Sequence, residues 1–384
     1  MAYKAFNSDF TCKGKQYEEN TTYEENGNKI CEAGVMHYCE NPFDVLDYYP
    51  LVNENGEISE FAEVEPLGKI FTKKNKSATN KLHIKAKLGL KGFIKACVDF
   101  TIEKTRIEKT EDDIENDNDN NSAKIGSSGD SAQIGSSGDS AKIGSSGDYA
   151  QIGSSGDSAQ IGSSGDSAKI GSSGNYAKIG SSGNYAKIGS SGDSAKIGSS
   201  GYYAKIGSSG YYAKIGSSGN YAKIGSSGDS AQIGSSGDSA QIGSSGDSAQ
   251  IGSSGDSAQI GSSGDSAKIG SSGDYAKIGS SGYYAKIGSS GNYAKIGSSG
   301  NYAKITSKGK HSVVMAAGYD SIAKAKIGSW ITLAEWIRTD KTNDSGNYIW
   351  IPKCVKTEYV DGERIKGDTF YKLVDGEFKE VEEN

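Results

Sequence analysis

Between residues 122 and 305 the chain repeats one order of apolar and polar positions every nine residues, S/Y-A-K/Q-I-G-S-S-G-D/N/Y. Ala falls at 123, 132, 141 and onward to 303 without a slip, which makes 21 units. Ala and Ile stand two apart in each unit, as in Ala123 and Ile125, and residues i and i+2 of a strand share a face. The pattern therefore predicts a short strand with Ala and Ile inward, and with Lys or Gln and the preceding Ser or Tyr outward. The G-S-S-G-D stretch supplies the turn, because Gly tolerates positive φ and Asp or Asn accepts local hydrogen bonds. A flexible Gly/Ser linker needs no apolar residue at a fixed phase, so the period is read as repeat architecture. A strand of about four and a turn of about five form one side of a coil, and two units close it. The expected fold is all-β dominated: a parallel β-solenoid of nonapeptide repeats, about 18 residues per coil, flanked by small α+β or β domains.

The flanks carry different patterns. Residues 1–110 read as a small N-terminal domain, with strict alternation from Lys81 to Leu88. Carried on through Phe93, Lys95 and Val98, that alternation predicts a strand or hairpin. Residues 111–121 (EDDIENDNDNN) form an acidic linker. Beyond 305 the repeat drifts: His311 to Ala316 and Asp320 to Ala323 look like altered units, and Trp330 to Trp336 reads as a strand. Asp361-Gly362 and Asp375-Gly376 are hairpin-turn signals. Residues 306–384 are expected to be a cap passing into a small β-rich domain.

Caps matter because one unit cannot stand alone. A buried Ile contributes about 1.5–3 kcal/mol, whereas ordering nine residues costs roughly 1–2 kcal/mol each. Stability must come from ladders and columns shared between neighbours, and the open strand edges at both ends need cover. Both flanks are candidates for that role.

The outward positions vary in blocks. Over residues 175–223 the units carry mostly Tyr and always Lys, in the pairs Tyr176/Lys178, Tyr185/Lys187, Tyr203/Lys205, Tyr212/Lys214 and Tyr221/Lys223. Over 229–265 they switch to Ser, Gln and Asp, and over 275–302 the Tyr/Lys type returns. Tyr beside Lys can stack on rings and neutralise anions, so these five pairs are the candidate partner-binding residues, with nucleic acid among the possible partners. The plainer reading is that such ladders shield strand surface and were copied in blocks. The array holds 14 Lys and 12 Asp, close to balance, which argues against a polyanion mimic. Asp follows Gly directly, and Asn or Tyr often replaces it, so the calcium-binding nonapeptide pattern does not fit.

Composition narrows the classes further. With 34% hydrophobic residues and 54 Gly, a single large core is excluded. A net charge of −6 carries no global signature for nucleic acid or an anionic membrane. No run resembles a signal peptide or a membrane span, so a cytoplasmic protein without membrane partners is expected. Cys12, Cys31, His37 and Cys39 form a possible structural zinc set, although their spacing fits no standard zinc motif. Buried free thiols are the competing reading, and no cofactor is otherwise expected. Nothing matches a nucleophile elbow, a phosphate loop or a carboxylate pair, so an enzyme is not expected.

The stretches from Cys12 to Glu18, Cys31 to Cys39 and Asn41 to Tyr49 resemble an uncharacterised domain of phage and bacterial proteins. Such proteins continue into short Gly-rich repeats and close with segments similar to Val360 to Lys366 and Phe370 to Leu373. The departure is Val35-Met36-His37, where that family has a Gly-Phe-His run. The resemblance implies a phage or mobile-element setting, hence a host-cell cytoplasm, and no known activity. The repeats also resemble heads of trimeric adhesins, which need secretion and an anchor. The expected function is a non-enzymatic interaction scaffold, a rod whose zoned faces meet a macromolecule such as a host factor. The alternatives are a structural virion or surface component, and a zinc-binding or enzymatic N-terminal domain with the repeats as spacer. Oligomerisation is open on every reading.

Overall fold

A computed structural model describes residues 2–30, 34–52, 57–73, 76–105 and 122–382; the acidic linker and Cys31 lie outside them. The array is a two-sided parallel β-solenoid. Strands alternate between two sheets, and each pairs in register with the strand 18 residues on, Ile161 with Ile179 and Ile170 with Ile188. We call the sheet that begins at Lys124–Ser127 the docked sheet and the one that begins at Gln133–Ser136 the open sheet. Parallel pairing runs on through Val313–Ala316, Ile322–Lys324 and Trp330–Thr342, giving about twelve coils. The drifted units are thus genuine coils, and the solenoid outlasts the exact repeat. At about 4.8 Å per coil the rod is roughly 55 Å long.

Ala and Ile point inward as expected, and from Ala141 to Ile305 every one is buried. So is the first Ser of each pair, at positions such as Ser145 and Ser199, because it continues the same i, i+2 face. In many coils its Oγ accepts from the backbone N–H of the Gly two residues on, as Ser190 does from Gly192 at 3.3 Å. That Gly is fixed by close approach: a Cβ on Gly201 would lie 1.8 Å from the carbonyl oxygen of Gly183 in the preceding coil. The turn takes two forms with identical local sequence. Ser248 N–H donates to Asp229 in the preceding coil, whereas Ser257, at φ 57°, donates to Asp274 in the following one.

At the C-terminal end both sheets finish in antiparallel strands. The open sheet ends in a long hairpin, Trp330–Thr342 with Tyr348–Tyr359, and the docked sheet in Phe370–Val374 with Glu377–Val381. Asp375-Gly376 makes the second hairpin turn, both residues at positive φ. Asp361-Gly362 does not join two paired strands. Instead Asp361 Oδ1 accepts the N–H groups of Glu363, Arg364 and Ile365 in a local loop.

The N-terminal domain holds a four-stranded antiparallel sheet, a three-stranded one and a 17-residue helix, α1 (Gly89–Thr105). Lys81–Lys87 is a strand as expected. The expectation of a strand through Phe93 and Val98 is wrong: that segment is α1. Its buried residues Leu90, Phe93, Ile94, Cys97, Val98 and Thr101 recur at three- and four-residue steps, the helical period. The domain packs on a side of the solenoid. Its described residues lie along the docked sheet, and α1 touches the strands from Lys142–Ser145 to Gln232–Ser235.

Candidate functional site

Each array strand reads Lys/Gln-Ile-Gly-Ser, except that Thr306 replaces the Gly in the last. With Ile and Ser inward, Lys or Gln and the strand Gly face outward, so each sheet presents a row of long polar side chains beside a bare row of glycines. The docked sheet shows what such a surface accepts. Thr101 of α1 sits over Gly180, Val98 over Gly198, Ile94 over Gly216 and Leu90 over Gly234. These steps of three or four residues advance about 4.5–6 Å along a helix, against about 4.8 Å per coil. One helical turn therefore meets one coil. Over its length the match holds, since 17 residues span about 25 Å and the six strands beneath span about 24 Å. The fit is close enough that a Cβ on Gly216 would stand 3.0 Å from Ile94 Cγ1.

A charge clamp completes this contact. Asn41 caps a 3-10 helix, Pro42–Asp47, by accepting from Phe43 N–H. Asp44 meets Lys178 at 3.1 Å, and Asp47 meets Lys196 at 3.0 Å and Lys214 at 3.6 Å. Lys196 also donates to the Phe43 carbonyl at 3.2 Å, Lys214 donates to the Leu46 carbonyl, and Gln232 Oε1 accepts from Leu51 N–H. Burial, with the Lys196 charge alongside, pulls the Lys214 ammonium below its ordinary pKa.

The open sheet has the same grammar, and none of the described residues packs across its glycine row. A groove of about 1650 Å³ runs from Gln133 to Lys295 along its Lys/Gln and Gly rows. A Cβ added at Gly171, Gly189, Gly207 or Gly225 would meet nothing within 4 Å. Both sheets read through one block order: Gln160, Lys178, Lys196, Lys214, Gln232 on the docked side, and Gln151, Lys169, Lys187, Lys205, Lys223, Gln241 on the open side. The four open-side lysines are exposed. Two residues before three of them, in the turns that lead into the strands, Tyr185, Tyr203 and Tyr221 stack with ring centroids 5.2 Å apart.

The ten partner-binding candidates thus fall into two groups. Lys187, Lys205 and Lys223 line up on the open sheet, with Tyr185, Tyr203 and Tyr221 in the turns beside them. Lys178 and Lys214 are taken by the chain's own Asp44 and Asp47, while their neighbours Tyr176 and Tyr212 stay exposed at the turns. Block composition alone missed Lys169, whose unit starts with Ser, and Lys196, 9% exposed and central to the clamp. The 18-residue coil is the signal that finds them, because it assigns alternate units to opposite sheets.

Among the described residues no three His, Cys, Asp or Glu side chains form a metal-ligating group. Cys12 and Cys39 belong to separate apolar clusters, and Cys31 is outside the described residues. Burial pushes the Cys39 thiol up to about 12. Burial first, then the charges of Lys13, Lys4 and Lys76, lower His37 to about 4.

Residues 1–96 match a family described as a domain of unknown function (DUF7666), a quarter of the chain. No curated protein matches the chain. No solved structure matches it either. No helix among the described residues is long and apolar enough to cross a membrane.

Proposed function

We propose that this chain is a non-enzymatic interaction scaffold whose open sheet seats an amphipathic, carboxylate-bearing helix of a partner protein. The observation that carries this reading is the docked sheet. There a glycine row at coil spacing takes one apolar side chain per helical turn, and the lysine row beside it takes aspartates. The open sheet repeats both rows with the lysines in the same block, so the same chemistry is complementary to it. The four-lysine row Lys169, Lys187, Lys205 and Lys223 repels itself along about 14 Å, and an acidic partner relieves that repulsion. The apolar part of the contact comes from burying helix side chains on bare backbone. A host factor met by a phage-encoded protein is one setting in which such a scaffold operates.

The test is affinity capture with the full chain, followed by titration of each purified captured protein. The expected result is a protein whose binding weakens at least about tenfold, roughly 1.4 kcal/mol, both in Gly207→Leu, which fills the groove, and in Lys187→Gln/Lys205→Gln/Lys223→Gln. Recovery of nucleic acid alone, or of proteins indifferent to both variants, overturns the reading.

A further inference from the structure

The N-terminal domain contains a second concave site, away from the solenoid clamp. It is a cleft of about 670 Å³ between the strands Ala2–Phe6 and Met36–Tyr38 and the segment after the 3-10 helix. At its base lies Lys4, only 6% exposed. Its ammonium sits beside the paired rings of Phe6 and Tyr17, 5.4 and 5.8 Å from their centroids. It donates to the His37 carbonyl at 3.1 Å and to Cys12 Sγ at 3.4 Å, and Tyr49 hydroxyl donates to the same sulfur at 3.2 Å. Among the described residues no carboxylate pairs with it. A buried ammonium without a counter-charge costs several kcal/mol, about the effective penalty for one desolvated ion, so an anion bound beside Lys4 would be strongly favoured.

The rest of the lining has the same sign. Lys13, Lys15 and Lys76 join Lys4, His37 is held neutral beside them, and among the described residues the one lining carboxylate, Glu25, is engaged by Lys15 at 2.6 Å. Lys76 extends over the Tyr48 ring, 4.7 Å from its centroid, so cation and aromatic face are presented together. We propose that this cleft binds a small organic anion, with its phosphate or carboxylate among Lys4, Lys13 and Lys76 and its ring against Tyr17, Tyr48 and Tyr49. Burial already lowers the Lys4 pKa, and a bound anion restores the charged form that can hold it. Every one of these residues lies within the 1–96 family match, so the site belongs to that domain and stands or falls independently of the open sheet.

The experiment is calorimetric titration of the full chain with phenyl phosphate at fixed ionic strength, beside inorganic phosphate and benzyl alcohol. One saturable phenyl phosphate site per chain is expected, with no binding of benzyl alcohol. Affinity should fall at least about tenfold in Lys13→Gln/Lys76→Gln and stay unchanged in Lys187→Gln/Lys205→Gln. Lys4→Met should abolish binding while retaining a cooperative thermal transition; if that variant does not fold, the Lys13/Lys76 pair decides. Absence of a saturable site, or equal affinity in Lys13→Gln/Lys76→Gln, overturns the proposal. Loss in Lys187→Gln/Lys205→Gln also overturns it, by moving the anion to the solenoid. Equal affinity for inorganic phosphate overturns the role of the ring and supports the anion seat.

Discussion

Glycine does two separate jobs in this chain, and the two are distinguishable by substitution. Turn glycines such as Gly201 stand under the preceding coil's carbonyl, 1.8 Å from where a Cβ would be. Strand glycines of the open sheet, such as Gly207, face empty space. Gly201→Ala is expected to cost about 1–3 kcal/mol or more through overpacking. Gly207→Ala is expected to be neutral or to add roughly 0.5–1 kcal/mol, by removing glycine's excess freedom from a strand. Thermal unfolding of the two variants against the parent checks both signs. The inward Ala and Ile were readable in the sequence, because a two-residue spacing at fixed phase has one geometric meaning in a strand. The strand Gly was not: in a sequence it reads as part of a turn, and its role depends on what lies across the sheet. The inward Ser was hidden for the same reason, since a Ser pair between glycines looks like turn chemistry.

At the scale of elements, helix α1 shows where pattern reading fails. The alternation of Lys81–Lys87 is real, and only the next residues change period. Leu90, Ile94, Val98 and Thr101 settle the matter by their three- and four-residue spacing, which a search for alternation does not register. The docking of this helix was equally illegible, because the lysine row that clamps its domain meets Asp44 across 134 residues of chain. The clamp makes an asymmetric prediction. Asp47→Ala leaves buried Lys196 with Asp44 at 3.6 Å as its remaining counter-charge and is expected to cost about 1.5–3 kcal/mol, the range for a hydrogen bond to a charged group. Lys196→Met removes the buried ammonium itself and leaves Asp44 and Asp47 with Lys178 and Lys214, so it is expected to cost less, about 1 kcal/mol. Chemical denaturation with protection of α1 followed by hydrogen exchange measures both. Equal losses in the two variants would remove the clamp from the docking account.

For the whole molecule, the repeat defines more than a rod. Because a coil holds two units, every block of the sequence is written twice, once on each sheet, and the chain itself covers one copy with its N-terminal domain. The expected two-sided coil is what the structure shows, down to the 18-residue register. At the C-terminal end antiparallel strands replace the parallel ladder, and the described residues of the N-terminal domain lie along the docked sheet. The zoned faces foreseen from composition become one hidden face and one open face, a distinction that no count of Tyr and Lys along the chain contains.

The claim that the open sheet is a vacant helix seat can be tested without knowing the natural partner. A stapled, fluorescein-labelled helix would carry Leu, Ile, Val and Thr at the spacing of Leu90, Ile94, Val98 and Thr101, with two aspartates placed to reach the lysine row. Its anisotropy would be titrated with the full chain and with Gly207→Leu. One saturable site on the parent, lost in Gly207→Leu, is the predicted result; no saturable binding, or the same affinity in both proteins, would contradict it.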